Sequence, residues 1–190
     1  MTLDWRPPTL ETPRLLLRPV AAADAPAVYL YASNPAVTRF TLFETHRSID
    51  DARWFVTDYV RSRYASEEPD PLAIVLRDDP LGRMVGAIGA HWASQPNGTM
   101  ELGYSLAEPY WGRGLTTEAA RAVTDHVFEW YPVERLQARV FVGNESSGRV
   151  LEKLGFGREG VLRSLVLRRG RHRDIVMYSL VREDWERVRA

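Results

Sequence analysis

Residues 110–119 read Tyr-Trp-Gly-Arg-Gly-Leu-Thr-Thr-Glu-Ala, and this stretch decides how the rest of the chain is interpreted. Gly112 and Gly114 stand between a predicted strand over 100–106 and a predicted helix over 115–130. Glycine permits a tight turn and lets a ligand approach the backbone, because it has no Cβ atom. The N-terminus of the helix adds unpaired N–H groups and a positive dipole end. The stretch therefore predicts a cradle for a phosphate or pyrophosphate group, with an ordinary strand-to-helix turn as the alternative.

Two common phosphate-binding loops do not match this stretch. A P-loop requires Gly-x-x-x-x-Gly-Lys followed by Ser or Thr, which the sequence lacks. A dinucleotide-binding loop requires a third glycine three residues after the second, and this chain has Thr117 at that position. If the stretch binds a pyrophosphate, it must therefore do so as a different kind of loop.

Further segments accompany the loop in a fixed order. The sequence ELGYSL at 101–106 precedes it, and NESS at 144–147 and VLEKLGF at 150–156 follow it. LETPRLLLR stands at 10–18, and the tail carries REG at 158–160, Asp174 and YSL at 178–180. Together these segments resemble the GNAT acetyltransferase superfamily, and within it the RimJ/RimL-type subgroup, which includes N-terminal acetylases of ribosomal proteins. Many relatives begin the loop with Gln or Arg where this chain has Pro109, a departure that RimJ-like sequences share.

Length and composition are those of one ordinary domain, which we expect to span residues 1–190. The chain is 45% hydrophobic and 26% charged, and its 25 basic residues balance 25 acidic ones, so nothing favours specific nucleic-acid binding. Cysteine is absent, which excludes disulfides and thiolate chemistry, and four scattered histidines predict no metal site. No apolar run reaches membrane-spanning length and no secretion signal is recognised, so we expect a cytoplasmic protein without membrane association.

The hydrophobic pattern predicts the order β-α-α-β-β-β-α-β-α-β-β, which by itself indicates either an α+β or an α/β class. Asp24, a capping box at Ser48–Asp51 and Asn144 are expected to begin three of the helices. The resemblance implies a GNAT fold, an α/β (α+β) arrangement with a central, mostly antiparallel, seven-stranded sheet flanked by about four helices. The strands are predicted over 14–20, 71–77, 83–92, 99–106, 135–142, 156–167 and 172–181.

The resemblance also implies acetyl-CoA as the cofactor, used as a co-substrate without a metal. Backbone N–H groups of the loop would surround the pyrophosphate, and an N–H near Leu106, on a splayed strand, would polarise the thioester carbonyl. Lys153 is expected to reach the adenosine phosphate or to be exposed, and Arg113 to add charge or to be solvated. The expected cofactor-binding residues are Leu106, Trp111, Gly112, Arg113, Gly114, Leu115, Thr116, Thr117, Asn144, Ser147 and Lys153.

Three residues are the expected catalytic groups. Glu101 is the expected general base, acting through a water, with a structural carboxylate paired to an arginine as the alternative. Ser147 is expected to contact the leaving sulfur, and Tyr178 is an alternative acid or a packed core tyrosine. His91 and Glu44 are weaker candidates for the base. Some RimL-like proteins use a carboxylate at a place that falls near 165–167, which is apolar in this chain.

The acceptor side is the least determined part of the sequence. We expect Phe40, Phe43, Glu44 and Tyr104 to contact the acceptor, which is a protein N-terminus of the ribosomal-protein type, a peptide or a small amine. The basic run at 168–173 is expected to be a solvated hairpin tip, with a dock for an acidic protein or ribosomal RNA as the minor alternative. The open strand edges are compatible with a homodimer.

The expected function is that of an acetyl-CoA-dependent N-acetyltransferase that moves the acetyl group directly to a primary amine. The alternative is a non-catalytic module that binds acyl-CoA as a sensor or docking domain. That alternative would keep the loop and lose the catalytic positions, whereas Glu101, Asn144 and Ser147 are all present.

Overall fold

A computed structural model describes residues 5–189, and its eight strands form one sheet in the order β1-β2-β3-β4-β5-β6-β8-β7. Neighbouring strands are antiparallel except β5 and β6, which are parallel because α5 connects them as a crossover. The strands are β1 (Leu10–Glu11), β2 (Leu15–Pro19), β3 (Leu72–Leu76), β4 (Met84–Ser94), β5 (Thr99–Leu106), β6 (Arg135–Phe141), β7 (Gly157–Arg168) and β8 (Arg171–Val181).

Helices cover both faces of this sheet. A π-helical turn over Phe55–Tyr59 joins α3 to α4, so these form one helical segment. None of the helices between residues 5 and 189 combines the length and apolar character that crossing a bilayer demands. The helices are α1 (Ala25–Ala32), α2 (Pro35–Thr38), α3 (Ile49–Trp54), α4 (Val60–Ala65), α5 (Leu115–Trp130), α6 (Glu145–Glu152) and α7 (Arg182–Arg189).

The mixed, mostly antiparallel sheet is confirmed, but the predicted numbers of strands and helices were too low. Residues 5–189 contain eight strands rather than seven and six helical segments rather than about four. The additional strand β1 has only two residues, too few for an alternating pattern to show. The sequence of α7 is almost wholly charged, and Trp185 anchors it by stacking on Phe128 with ring centroids 5.1 Å apart.

Two of the three predicted helix caps are confirmed. Ser48 and Asp51 form the capping box of α3, and Asn144 accepts the Ser147 N–H at the start of α6. Asp24 precedes α1 but makes no side-chain cap. Its buried carboxylate instead binds the guanidinium of Arg18 at 2.7 and 2.8 Å, because an ion pair is the stronger interaction for a carboxylate away from water.

Each face of the sheet buries its own hydrophobic core. The larger core lies under α5, α6 and α7 and includes Met100, Leu102 and Leu106 from β5. The smaller core lies under α1, α3 and α4 and includes Ala87 from β4. Because side chains alternate along a strand, Glu101 points to the face of the smaller core. The two faces therefore carry different chemistry along the same strand.

The sheet opens in its middle, between β5 and β6. These strands pair only from Thr99 to Glu101, opposite Arg135 to Gln137. Beyond this point β5 stays paired with β4 as far as Leu106, and β6 stays paired with β8 as far as Phe141. The separation leaves backbone groups on the facing edges of β5 and β6 without a strand partner, so a ligand can bind there.

The loop over 39–47 is fixed by the tip of the β7–β8 hairpin. Arg168 is only 5% exposed, and it donates to the carbonyls of Thr41 and Phe43 at 2.9 and 2.7 Å and pairs with Glu44. Arg169 donates to Thr45 Oγ1 at 2.9 Å. The expectation of a solvated tip was therefore wrong for Arg168, because two loop carbonyls and a carboxylate satisfy its donors.

We predict that Arg168→Met lowers the free energy of unfolding by about 2–3 kcal/mol, because it leaves two loop carbonyls and the Glu44 carboxylate without their buried donor. Arg163→Met is the matched control, since Arg163 lies exposed on the same strand. Urea unfolding followed by circular dichroism measures both variants. Equal midpoints for the two variants would contradict the role given to Arg168.

Candidate functional site

Two glycines give the loop its shape. Gly112 and Gly114 have φ angles of 71° and 75°, in the left-handed region that favours glycine. A Cβ atom built at Gly112 would meet no atom within 4 Å, so the loop backbone is open on that side. Gly114 is the N-cap of α5 and provides no capping side chain, so the first N–H groups of the helix remain available. The arrangement fits an anion, as expected from the sequence.

The loop is braced by the N-terminal strands through Glu118, in the first turn of α5. One carboxylate oxygen of Glu118 accepts from Thr12 Oγ1 at 2.6 Å and from the Arg14 N–H at 2.9 Å. The other accepts from Arg14 Nε at 2.6 Å, and Arg14 also donates to the Arg113 carbonyl at 2.9 Å. Sequence reasoning missed this network. The network could have been inferred from the family resemblance, because Thr-Pro-Arg at 12–14 and Glu118 of the loop motif both belong to the segments that carry it.

A surface groove of about 630 Å³ runs from the loop along α5. Gly114 and Thr117 line one part of it, and Arg121 and Lys153 line another. Arg121 donates to the Lys153 carbonyl at 3.1 Å, which holds α5 and the end of α6 together. The structure thus brings Lys153 to the same groove as Gly114, where Arg121 and Lys153 lie among the carboxylates of Glu11, Glu118 and Asp125.

The remaining loop residues have distinct environments. Trp111 donates its indole N–H to the Leu106 carbonyl at 2.7 Å and so ties the loop to the end of β5. The Arg113 guanidinium stacks over Tyr110 at 5.7 Å from the ring centroid. Leu115 is buried in the larger core, so only its backbone can reach a ligand. Thr116 and Thr117 follow it in the first turn, with half-buried side chains.

On the α5 and α6 face, two hydroxyl groups meet beside the opening of the sheet. Tyr104 Oη lies 2.8 Å from Ser147 Oγ and donates to the Ser147 carbonyl at 3.3 Å. Burial raises the pKa of Tyr104 to about 12, so its hydroxyl keeps its proton at neutral pH. Tyr104 therefore lies with Ser147 and Asn144 rather than with the loop over 39–47, where the other expected acceptor residues lie. It is on the opposite face of β5 from Glu101, because side chains alternate along a strand.

Glu101 is engaged by two neighbours on β6. Its Oε1 accepts from Arg139 Nε at 2.7 Å and its Oε2 accepts from Gln137 Nε2 at 3.1 Å. The side chain is only 9% exposed. Both oxygens are thus already hydrogen-bonded. The arrangement supports the structural alternative, a carboxylate paired with an arginine, over the general base that the sequence favoured.

Tyr178 lies under α6. Its hydroxyl donates to Glu152 at 3.2 Å, and a Cβ atom built at Gly148 would come within 2.8 Å of it. Burial raises the pKa of Tyr178, and the Glu152 carboxylate raises it further. The side chain is 6% exposed, so the arrangement supports a packed tyrosine rather than a free acid.

The three expected acceptor residues on the loop over 39–47 have different surroundings. Phe40 lies 4.0 Å from the position of a Cβ at Gly143, at the end of β6, so it borders the opening of the sheet. Phe43 is 39% exposed and faces the His46 ring at 6.0 Å. Glu44 is paired with Arg168, whose hydrogen bond lowers the pKa of that carboxyl group. Glu44 therefore holds the loop, whereas Phe40 is the loop side chain that lies beside the opening.

Together these features allow a defined kind of chemistry. The glycine loop and the groove can hold an anionic ligand, and the opening between β5 and β6 gives access to unpaired backbone groups. Neutral hydroxyl groups of Tyr104 and Ser147 lie on one face of this opening. Within residues 5–189 no three His, Asp or Glu side chains come together as a metal site.

Comparisons with known proteins agree with this geometry. A family model described as the acetyltransferase (GNAT) domain matches residues 14–157. The uncharacterized N-acetyltransferase YoaA of Bacillus subtilis is 34% identical over 175 residues, which cover 92% of this chain and 97% of that protein. The ribosomal protein uS5-alanine N-acetyltransferase of Escherichia coli is 34% identical over 84 residues, covering 44% of this chain and 43% of that protein.

A solved structure extends the likeness to three dimensions. RimL, a ribosomal L7/L12 alpha-N-protein acetyltransferase in complex with coenzyme A, matches with a TM-score of 0.78 at 19% identity, over 92% of this chain and 98% of that one. At this identity the likeness concerns the fold. The family match and the likeness to YoaA identify the chain as a member of the GNAT family of acetyltransferases, and the protein is an N-acetyltransferase.

Proposed function

We propose that this protein transfers the acetyl group of acetyl-CoA directly to a primary amine, and that the acceptor is a protein N-terminus. The observation that carries the proposal is the opening of the sheet after Glu101, beside the glycine loop. A ligand held by the loop has access through this opening to the face of α5 and α6 and to the face of α1 and α3. Donor and acceptor sites can thus meet from opposite sides of one sheet.

Acetyl-CoA supplies an activated thioester when it is bound. We assign its pyrophosphate to the N–H groups between Gly112 and Thr117 and its adenosine phosphate to the groove with Lys153. Asn144 and the backbone of Leu106 are assigned to the pantetheine arm and the thioester carbonyl. The open backbone at Gly112 and the cations Arg121 and Lys153 in the groove support these roles. RimL, which shares the fold, was solved with coenzyme A bound.

Ser147 is the proposed proton donor to the leaving sulfur. Its hydroxyl shares a hydrogen bond with Tyr104, and the raised pKa of Tyr104 keeps that partner protonated. A donor that stays protonated at neutral pH can stabilise a thiolate as it forms. We assign Glu101 to joining β5 and β6 where they separate, and Tyr178 to packing under α6.

A protein N-terminus is the proposed acceptor for two reasons. The E. coli relative is named for acetylating the N-terminal alanine of a ribosomal protein, and RimL is named for the L7/L12 N-terminus. An α-amino group has a pKa of about 8, lower than the value of about 10.4 for lysine, so a larger share is deprotonated at neutral pH. Phe40 and Phe43 are the proposed contacts for the first side chains of such a peptide. A small amine is the alternative acceptor.

Three broader assignments belong to the same proposal. Residues 1–190 act as one catalytic domain, because strands from Leu10 to Val181 join one sheet. The protein works in the cytoplasm without nucleic acid or membrane as a partner, in keeping with its balanced charge. A homodimer would use the edge strand β7, where Leu165 and Leu167 are 47% and 64% exposed.

A non-catalytic acyl-CoA-binding module is the second candidate function. It would use the same loop and groove, but it would have no need of the hydroxyl pair at the opening. The hydrogen bond between Tyr104 and Ser147 therefore favours catalysis.

We predict that the purified protein binds acetyl-CoA and releases coenzyme A when peptides with N-terminal alanine are added. Calorimetry measures the binding, and a thiol reagent measures the release over a panel of peptides and small diamines. Turnover with diamines alone would replace the peptide acceptor with a small one. Binding without turnover on the whole panel would favour the non-catalytic module.

We predict that Gly112→Val weakens acetyl-CoA binding by more than about tenfold, equivalent to about 1.4 kcal/mol, because a branched Cβ at this φ fills the approach to the backbone. Gly82→Val is the matched control, since Gly82 also has a positive φ of 56° and open space around its Cβ position. Both variants should lose similar stability, so calorimetric affinity separates them. Equal affinity in the two would remove the loop from the binding site.

We predict that Ser147→Ala lowers kcat by about 100-fold with little change in acetyl-CoA affinity, since it removes a proton donor. Ser146→Ala, at the neighbouring position, is the control. The Ser146 side chain is exposed, and among the described residues its hydroxyl accepts a hydrogen bond only from Arg149. Tyr104→Phe should show a smaller loss in the same thiol-release assay. If Ser147→Ala keeps the rate of the control, the leaving group takes its proton elsewhere.

A further inference from the structure

The sheet surface next to the opening is bare on the face of α1 and α3. Gly89 on β4 and Gly103 on β5 are direct neighbours across the strand pair. Gly103 is exposed, and a Cβ atom built there would meet nothing within 4 Å. A small polar group can therefore approach the backbone of β5 immediately beside the opening.

Asp70 stands at the border of this bare surface. It belongs to the loop between α4 and β3, and it lies so close to Gly89 that a Cβ atom there would be 2.5 Å from Asp70 Oδ1 and 2.6 Å from its Cα. Only glycine at 89 admits the carboxylate at this place. Asp70 is thus fixed one strand away from the exposed Gly103.

The carboxylate of Asp70 has only distant partners among residues 5–189. Its Oδ2 accepts from Tyr59 Oη at 3.4 Å, and it lies 3.7 Å from both Arg63 Nε and His91 Nδ1. Buried carboxylates normally accept short, charge-assisted hydrogen bonds, as Glu101 does at 2.7 Å. Asp70 is only 9% exposed and yet keeps capacity for a strong donor.

We propose that Asp70 is the site that binds the ammonium group of the acceptor and takes its proton. This inference rests on the proposed function and names a residue that the family motifs do not include. The ammonium donates an N–H to the carboxylate, and one proton moves from nitrogen to oxygen, which leaves a neutral amine and a carboxylic acid. The nitrogen lone pair then forms the bond to the acetyl carbon as the carbon–sulfur bond breaks. The sulfur takes a proton from Ser147, the acylated nitrogen releases its second proton to restore the Ser147 hydroxyl and leave a neutral amide, and Asp70 returns its proton to solvent.

The charges around Asp70 suit this role. Burial raises the pKa of Asp70, while His91 on β4 and Arg63 on α4 lower it and the Glu68 carboxylate raises it again. Tyr59, in the π-helical turn, hydrogen-bonds the carboxylate, and Glu101 on β5 is neutralised by Arg139. The net direction is upward, so Asp70 is a better proton acceptor than an exposed aspartate and remains anionic above its raised pKa.

The first test compares Asp70→Asn with Glu68→Gln on an alanine-initiated tetrapeptide. Glu68 is a buried carboxylate of the same loop, and it binds Arg63 and the Trp92 N–H instead. We expect Asp70→Asn to lower kcat/KM for the peptide by about 100-fold and to leave the calorimetric affinity for acetyl-CoA unchanged. The wild-type rate should fall as the pH drops through the pKa of Asp70, and this loss should be missing from the variant. A variant with the wild-type pH profile would overturn the proposal.

The second test needs no turnover. Carbon-13 NMR of the Asp70 carboxyl group measures its pKa in the wild-type protein bound to coenzyme A. The measurement is made in the presence of propylamine and, for comparison, in the presence of tetramethylammonium chloride. Propylammonium can donate an N–H and should lower the pKa of Asp70, whereas tetramethylammonium cannot donate and should change it less. Equal responses to both cations would overturn the proposal. If acetyl-CoA binds but no amine is acetylated, the proposed function fails, and this titration alone decides whether Asp70 binds an ammonium group.

Discussion

The ion pair between Glu101 and Arg139 is the constraint on which the rest of the site depends. It joins β5 to β6 at the last paired position, and beyond it the two strands follow different partners. A pair at this point fixes where the opening begins, because each strand beyond it is held by its outer neighbour. The glycine loop, the hydroxyl pair and the acceptor face are all arranged around that opening. In our proposal this carboxylate joins the two strands and does not act as the proton acceptor.

The two faces of β5 divide the chemistry between them. Tyr104 and Ser147 lie on the face of the larger core, where burial keeps the Tyr104 hydroxyl protonated. Asp70 lies over the other face, where burial favours a carboxylate that accepts a proton. The same physical cause, removal from water, thus produces a donor on one side and an acceptor on the other. The sheet itself keeps these opposite functions apart.

Much of the fold and the shape of the glycine loop could be predicted from the sequence. The alternation of β5, the periodicity of α5 and the glycine loop depend on neighbours in the chain, and each was predicted within a few residues. What could not be predicted depends on distant partners. Arg139 is 38 residues from Glu101 and Arg168 is 124 residues from Glu44. A sequence does not show which residue pairs with a charged side chain, so the roles of Glu101 as a base or as a paired carboxylate stayed open, and Arg168 was expected to be solvated. The sequence did not point to Asp70, because the position of its carboxylate depends on a contact with Gly89 that forms only in the folded chain.

The network of Glu118 has a consequence for how the protein responds to its ligand. Thr12 and Arg14 reach the first turn of α5 across more than 100 positions of sequence, and Arg14 also holds the carbonyl of Arg113. The shape of the loop and the docking of the first two strands therefore form one cooperative unit. Any molecule that binds the ordered loop must also protect the backbone of β1 and β2 from opening, by thermodynamic linkage. The protection of the backbone at the amino-terminal edge of the sheet thereby indicates whether a ligand is bound at the loop.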